Sequence, residues 1–536
     1  MSGQSIRPSQ FITTYGPGSI LEGPDGPRII VSLDRSSLFT ATRRAADFDI
    51  TDPRLSQAVL DGAGIVRLPT NAELGVPDST SIYDTRAFPL WSLCEDHHVL
   101  YRYRVGSTRG CLRCLNGPQW DVWSKSRREA IRFVRACPEG HLDEVDWVGM
   151  IAHGKPKCRP EYLLWGGAGG ALRNIDVQCP DCGESINLGT AYARDWPCSG
   201  RLPETGQQGT GACPRGTRPA SIVQRGAANL RVPDLASAIT IPPLDTPLHR
   251  ILSRPVIRGI LVGEPDPAKD VLVQKLRQVV QLGLIPASDP LEVAQYTEAD
   301  IQAAIRDISG SAGPASVESM RIQEFRQLQR AAVHGAPAIP SKTPGQPPLF
   351  EVIRDAVRTY PRARRSLRVT PVSRLQVIMV QLGYRRIVGD GQTGWTRVPV
   401  SYFDGQRTWY PGVELFGEGV FIDLANADGN EAQHFALNGS ERDEWQRAWF
   451  DPVSYGREPD DKEHLHPIFV WWHTLAHRLL NALSIDSGYS SAALRERVYL
   501  QLDEKTGQGR GGVLLYTAQP GGDGTLGGLI SLVPHF

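Results

Sequence analysis

Nine cysteines, all between positions 94 and 213, are the residues of this 536-residue sequence whose types and spacing point most directly to chemistry. An odd count confined to one region fits thiolates gathered on metal better than a disulfide framework. Zinc takes four Cys or His ligands tetrahedrally, and two close pairs donated from separate turns meet that geometry. Cys94-x2-His97 with Cys111-x2-Cys114 forms one such set, with His98 competing for the place of His97. Cys179-x2-Cys182 with Cys198 and Cys213 forms a second, in which Gly183 is expected to relieve the tight turn of a ribbon knuckle. What remains, Cys137-x3-His141 and His153-x4-Cys158, offers a third Cys₂His₂ set, against the plainer reading of two inert buried thiols and two surface histidines. Two zinc ions are expected, and a third if the last set closes.

A catalytic zinc keeps one position open and needs a base beside its water, whereas each of these sets is filled by four side chains. The expectation is therefore that the metals hold shape; Glu95, Asp96 and Glu139 beside the knuckles are read as solvated carboxylates. Elsewhere, His473 and His477 stand at i and i+4 of a helical pattern, the spacing of metallohydrolases, with Glu414, Glu418 or His466 as conceivable third ligands. Their neighbours are strongly apolar and the glutamate of H-E-x-x-H is missing, so satisfied core histidines are expected; a metal-dependent nuclease or hydrolase using His473 and His477 is the alternative. The stretch Gly522-Asp523-Gly524-Thr525-Leu526-Gly527 matches G-x-G-x-x-G in form, but the sequence ends too soon for a ribose-binding acid, and no phosphate-cradling G-x-x-x-x-G-K-[ST] occurs. Neither a dinucleotide fold nor a nucleoside-triphosphate motor is expected.

Net charge is zero, so no overall basic field announces nucleic acid. Arginine is nevertheless concentrated: ten of them against three acids between 351 and 400. Arg362, Arg364, Arg365, Arg368, Arg385 and Arg386 are candidate phosphate contacts there, with Tyr360, Tyr384 and Trp395 available to stack on bases. Arg127 and Arg128, with Arg132 and Arg135 at what reads as helical spacing beside Trp120, Trp123 and Phe133, form a second candidate DNA face. A solvated surface is the competing reading of both.

The elements that must position these groups divide the sequence into five stretches. Residues 1–90 read as β-rich; 91–220 as the zinc-binding region; 221–333 as an extended segment followed by a small helical unit. Residues 334–350 read as a Pro-rich linker and domain boundary, and 351–536 as a C-terminal α/β domain. Val271, Leu272, Leu276, Val279, Val280 and Leu282 mark one helical face that Gly283 stops. LQVIMVQLG (375–383) reads as helix, PGVELFGEGVFIDLA as strand, PIFVWWHTLAHRLLNALS as an apolar helix and GGVLLYTA as strand. The fold class expected is mixed α/β, multidomain, with zinc-ribbon or knuckle insertions. With 40% hydrophobic and 22% charged residues, no apolar leader and no run long enough to span a bilayer, the chain reads as cytoplasmic.

Six blocks in order, SQFITTYGPGSI, CPEGHLDEVDW, VQRGAANLRVP, GEGVFIDL, HTLAHRLL and LLYTAQPGGDGTLGGL, resemble the DrmB family, subunits of the bacterial DISARM anti-phage systems. The blocks run from residue 9 to near the end. The tail is also similar to the zinc-binding domain that closes MrfA-like DNA-repair helicases, without a motor before it. The resemblance implies a non-motor partner of a DrmA-like superfamily 2 helicase, which would supply the ATPase, in a complex that binds phage DNA with single-stranded character. It also implies a cysteine cluster after the Gly-rich stretch. No cysteine follows Cys213, so a short or truncated member is expected and that site is not carried over.

Overall fold

The computed structural model describes residues 6–23, 26–35, 38, 44–77, 80–103, 111–115, 128–155, 158–167, 171–207, 209, 213, 219–241, 247–264, 267–309, 316–336, 338–341, 346–362, 365–387, 396–426, 428–429, 433, 467–490, 493–503, 508–519 and 526–536. Among the described residues the largest sheet runs in the order Val232–Ile239, Arg365–Arg385, Thr408–Ala425, Gln508–Gln519, Leu494–Asp503, each antiparallel to its neighbour. Gly64–Arg67 from the N-terminal region adds to Thr408–Ala425 in parallel.

Period-two alternation in these strands builds two cores. Val420, Ile422 and Leu424, Val513 and Leu515, and Leu494 and Val498 point to the helix Pro467–Asp486, meeting Ile468, Trp472, Ala476 and Leu483. The intervening Phe421, Leu514, Tyr516 and Tyr499 point the other way, to Phe325 and Leu328 of the helix Val317–His334 and to Phe11 and Ile12 of the helix Pro8–Thr13. That second core draws on residues before, within and after the Pro-rich segment, so the two sides of residues 334–350 share one interior.

Two sequence expectations are corrected here. LQVIMVQLG is not helical but the middle of the strand Arg365–Arg385, flanked by paired strands on both sides. A central strand buried on both faces carries a continuous apolar run, and periodicity cannot separate such a run from a buried helix. In the helix Lys269–Gln281 the buried residues are Leu272, Val273, Leu276 and Val279, while Val271 and Leu282 are exposed. Gly283 follows at φ +69°, the left-handed stop the sequence suggests. With its neighbours this helix encloses a separate small core between Leu248 and Ile305.

The cysteine-rich region forms a six-stranded sheet in the order Ser185–Asn187, Asp176–Gln178, Tyr162–Gly166, Val99–Arg102, Trp91–Cys94, Arg128–Ala130, beside a three-stranded sheet of Leu142–Glu144, Phe133–Ala136 and Ser221–Gln224. Trp147, Phe133, Leu163, Val177 and Leu188 pack between them. Arg128–Ala130 and Phe133–Ala136 being strands, Arg128, Arg132 and Arg135 do not share a helix, and Phe133 faces the core. No helix among the described residues is long and apolar enough to cross a membrane.

Candidate metal centres

One pair of each set sits at the closed end of an antiparallel hairpin, while Cys111 precedes and Cys114 lies on the short helix Leu112–Leu115. Trp91–Cys94 pairs with Val99–Arg102, so the turn between them holds both His97 and His98. His98 takes the left-handed conformation (φ +49°) and its carbonyl accepts from Trp165 N at 2.7 Å, so the turn presents His97 instead. His97 Nδ1 lies 3.2 Å from Cys114 Sγ, 3.6 Å from Cys94 Sγ and 3.9 Å from Cys111 Sγ, and Cys94 and Cys114 sulfurs are 3.7 Å apart. These are tetrahedron edges, ~3.8 Å for two sulfurs at a zinc–sulfur length of ~2.3 Å, and far from a disulfide at ~2.05 Å.

The other two sets are regrouped relative to the sequence expectation. Cys137 and His141 converge with Cys198 and Cys213, and His153 and Cys158 converge with Cys179 and Cys182. Within each of these sets, as in the first, the ligand atoms all lie within 4.8 Å of one another. The strands Phe133–Ala136 and Leu142–Glu144 clamp the turn Cys137–His141, where Cys137 N donates to His141 O at 3.2 Å. Cys137 and Cys198 sulfurs are 3.5 Å apart, and His141 Nδ1 is 3.6 Å from Cys213 Sγ. The hairpin of Asp176–Gln178 and Ser185–Asn187 aims Cys179 and Cys182 at the loop carrying His153 and Cys158, with Gly183 at φ +79° as expected. Cys158 and Cys179 sulfurs are 3.5 Å apart and His153 Nδ1 is 3.2 Å from Cys182 Sγ. The four pairs are thus nested, outer with outer and inner with inner. Local spacing finds the pairs, but only the hairpin directions decide which pairs meet.

Electrostatics favours a shared cation. The hydrogen bond shared with Cys137 brings Cys198 down to about 4, while the same contact, with burial, pushes Cys137 far up. The His153 contact lowers Cys182 to about 6 and raises His153, whereas burial, first among the causes, lifts Cys158 and Cys114 to about 12 and raises Cys111. In the Cys137 and Cys158 sets one thiol, Cys198 or Cys182, gives up its proton readily while a neighbouring sulfur holds its own, the behaviour of close sulfurs that need a positive ion to ionise together. His153 Nε2 stands 3.0 Å from the Val148 carbonyl, where a ring N–H can only donate, which leaves Nδ1 to face the sulfurs.

The arginine candidates separate by burial. Arg368 is fully buried against Asp423, and Arg386 is fully buried, donating to the carbonyls of Gly140 (3.0 Å) and Gly18 (3.1 Å). Neither reaches solvent, so both are corrected from DNA contacts to internal ties; Tyr384, 1% exposed, cannot stack on a base. Arg385 is half-exposed and pairs with Asp234 at 3.3 Å. Arg362 and Arg365 face each other in register at the end of the ribbon made by Arg358–Arg362 and Arg365–Arg385. Arg128 pairs in register with Cys94. Arg127, Arg364, Trp120, Trp123, Trp395 and His466 lie outside the described residues.

His473 and His477 are not core histidines. Their side chains are 45% and 61% exposed, on the flank of a helix whose inner face carries Trp472 and Ala476. Glu414 accepts from Gln376, and the buried Glu418 accepts from Leu529 N and Tyr489 Oη, so neither serves the pair. The carboxylate that does approach is Glu496, which sequence reasoning missed. Its signal was a glutamate among apolar residues in the alternation Leu494, Glu496, Val498, Leu500.

Comparison with known proteins finds a family model, a domain of unknown function (DUF8724), matching residues 7–232. It also finds the DISARM protein DrmB of Bacillus paralicheniformis, 27% identical over 437 residues, which cover 78% of this chain and 71% of that protein.

Proposed function

We propose that this DrmB-like chain is a non-catalytic, zinc-bound subunit of a cytoplasmic DISARM anti-phage complex, docking a DrmA-like superfamily 2 helicase and helping to hold phage DNA. The observation that carries the zinc assignment is the convergence of all nine cysteines with His97, His141 and His153 into three four-ligand groups. A Cys₃His set matches zinc through its soft thiolates and its size, and four protein ligands leave no position for substrate. Bound there, zinc would supply folding energy to sheets whose own strands are only three to five residues long.

The DNA role rests on the basic sequence Arg362-Ala363-Arg364-Arg365 that joins the paired strands Arg358–Arg362 and Arg365–Arg385, together with exposed Arg358. An arginine-rich junction between two paired strands suits a phosphate backbone, which Arg can grip bidentately. ATP hydrolysis belongs to the partner in this reading.

The test is coexpression with the helicase subunit. Copurification of the two, zinc in the isolated chain, and DNA affinity of the complex that weakens in Arg362→Glu/Arg365→Glu while its salt slope flattens are the expected results. A zinc-free chain that still folds, or an isolated chain that cuts DNA, overturns it.

A further inference from the structure

We propose a fourth metal site, open to solvent and chemically unlike the other three, formed by His473, His477 and Glu496. The helix Pro467–Asp486 supplies the two imidazoles one turn apart. The strand Leu494–Asp503 supplies the carboxylate from the same face on which Leu494 and Val498 meet that helix. His473 Nε2 is 3.0 Å from His477 Nε2 and 3.0 Å from Glu496 Oε1, and His477 Nε2 is 3.4 Å from that same oxygen.

Hydrogen bonding alone cannot satisfy this triangle. If both Nε2 atoms carry protons and donate to the carboxylate, two donors confront each other at 3.0 Å; if one imidazole donates to the other, the carboxylate loses its donors. A cation on the axis of the triangle satisfies all three lone pairs at once. An octahedral face at a metal–ligand length of ~2.1 Å has edges of ~3.0 Å, and a tetrahedral one ~3.4 Å, which brackets the separations found. A second, independent sign is Glu496 Oε2, which is buried and has no hydrogen-bond partner among the described residues. A bare buried carboxylate oxygen is costly unless a positive charge lies beside its partner oxygen.

The donor set is two nitrogens and one oxygen, which selects a divalent first-row transition ion over magnesium or calcium. Exposure separates the site from the thiolate clusters: His473 and His477 are about half exposed, whereas Cys94, Cys111, Cys137 and Cys179 are at most 3% exposed. Three protein ligands on one face leave the remaining positions to exchangeable water, the arrangement of a site that can receive a further ligand.

Cobalt is the probe. Zinc-loaded full-length protein, cleared of weakly held metal, should bind one equivalent of Co²⁺ with weak d–d absorption and none of the intense sulfur-to-metal charge transfer that a thiolate site gives. Glu496→Gln and His473→Ala/His477→Ala should each weaken that binding at least ~10-fold while the zinc content and melting temperature stay at wild-type values. Wild-type protein that shows no sulfur-free cobalt spectrum, or variants that keep it, overturn the proposal. Because the readout excludes sulfur, it stands or falls separately from the zinc assignment of the thiolate clusters.

Discussion

Arg368 and Asp423 sit opposite each other in register on adjacent strands, both fully buried, with Arg368 Nε donating to Oδ1 at 2.9 Å and Nη2 to Oδ2 at 2.6 Å. Gln329 from the helix Val317–His334 donates to the same carboxylate at 3.0 Å, and Arg368 Nη1 donates to the Gly429 carbonyl. Burial raises the Asp423 carboxyl in spite of the guanidinium beside it. Removing one partner strands the other: Asp423→Asn and Arg368→Met should each cost ~3–5 kcal/mol in urea unfolding. The double variant Arg368→Met/Asp423→Leu should recover most of that loss, and additive losses would show that the pair is not a coupled unit.

The nested arrangement predicts metal counts. Cys179→Ser and Cys198→Ser lie in different clusters, so the double variant should lose two zinc equivalents by elemental analysis. Membership in one site, as spacing along the chain suggests, would give a loss of one.

Gly140 occupies φ +89° between Cys137 and His141, and a Cβ there would fall 2.2 Å from Val398 Cγ2. Gly140→Ala should therefore destabilise by ~1–3 kcal/mol and speed loss of metal from the Cys137 cluster, since strain and clash act on the same turn. Chelator-driven zinc release followed with a chromophoric dye would show one fast equivalent; unchanged kinetics would contradict a rigid turn.

Tyr384 donates to Glu204 inside the junction between the sheets, under the guanidinium groups of Arg231 and Arg386. Burial first, and then the Glu204 carboxylate, hold its phenol well above the tyrosine value. The folded state keeps this proton when the unfolded chain releases it near pH ~10, so stability drains as pH climbs beyond that point. Tyr384→Phe should be less stable than wild type at neutral pH, by ~1–3 kcal/mol for the stranded Glu204, with the gap narrowing above pH ~10. A gap independent of pH would remove the linkage.

What the sequence made legible follows from how local each signal is. The pairs Cys94/His97, Cys111/Cys114 and Cys179/Cys182 are turn motifs, readable because a knuckle fits within a few residues. The same holds for the helix Pro467–Asp486 and the strands Thr408–Ala425 and Gln508–Gln519. Partnership between pairs is not local, and Cys198 finds Cys137 only because the chain after Leu188–Tyr192 returns to the hairpin, where Leu142 N donates to Arg201 O. Burial of Arg368 and Arg386 was hidden for a related reason: arginine-rich composition reads as surface, and the carboxylates and carbonyls that satisfy these two come from Asp423, Gly18 and Gly140, far away in sequence.

The order in which the cysteine pairs nest sets an order of completion as the chain leaves the ribosome. The Cys94 cluster can close once Cys114 has emerged, and the inner cluster once Cys182 has, but the outer one holds Cys137 and His141 in waiting until Cys213 arrives. A nascent chain stalled between Cys182 and Cys198 would carry two finished clusters and one half-built, with a lone thiol and imidazole exposed to whatever metal or oxidant reached them first.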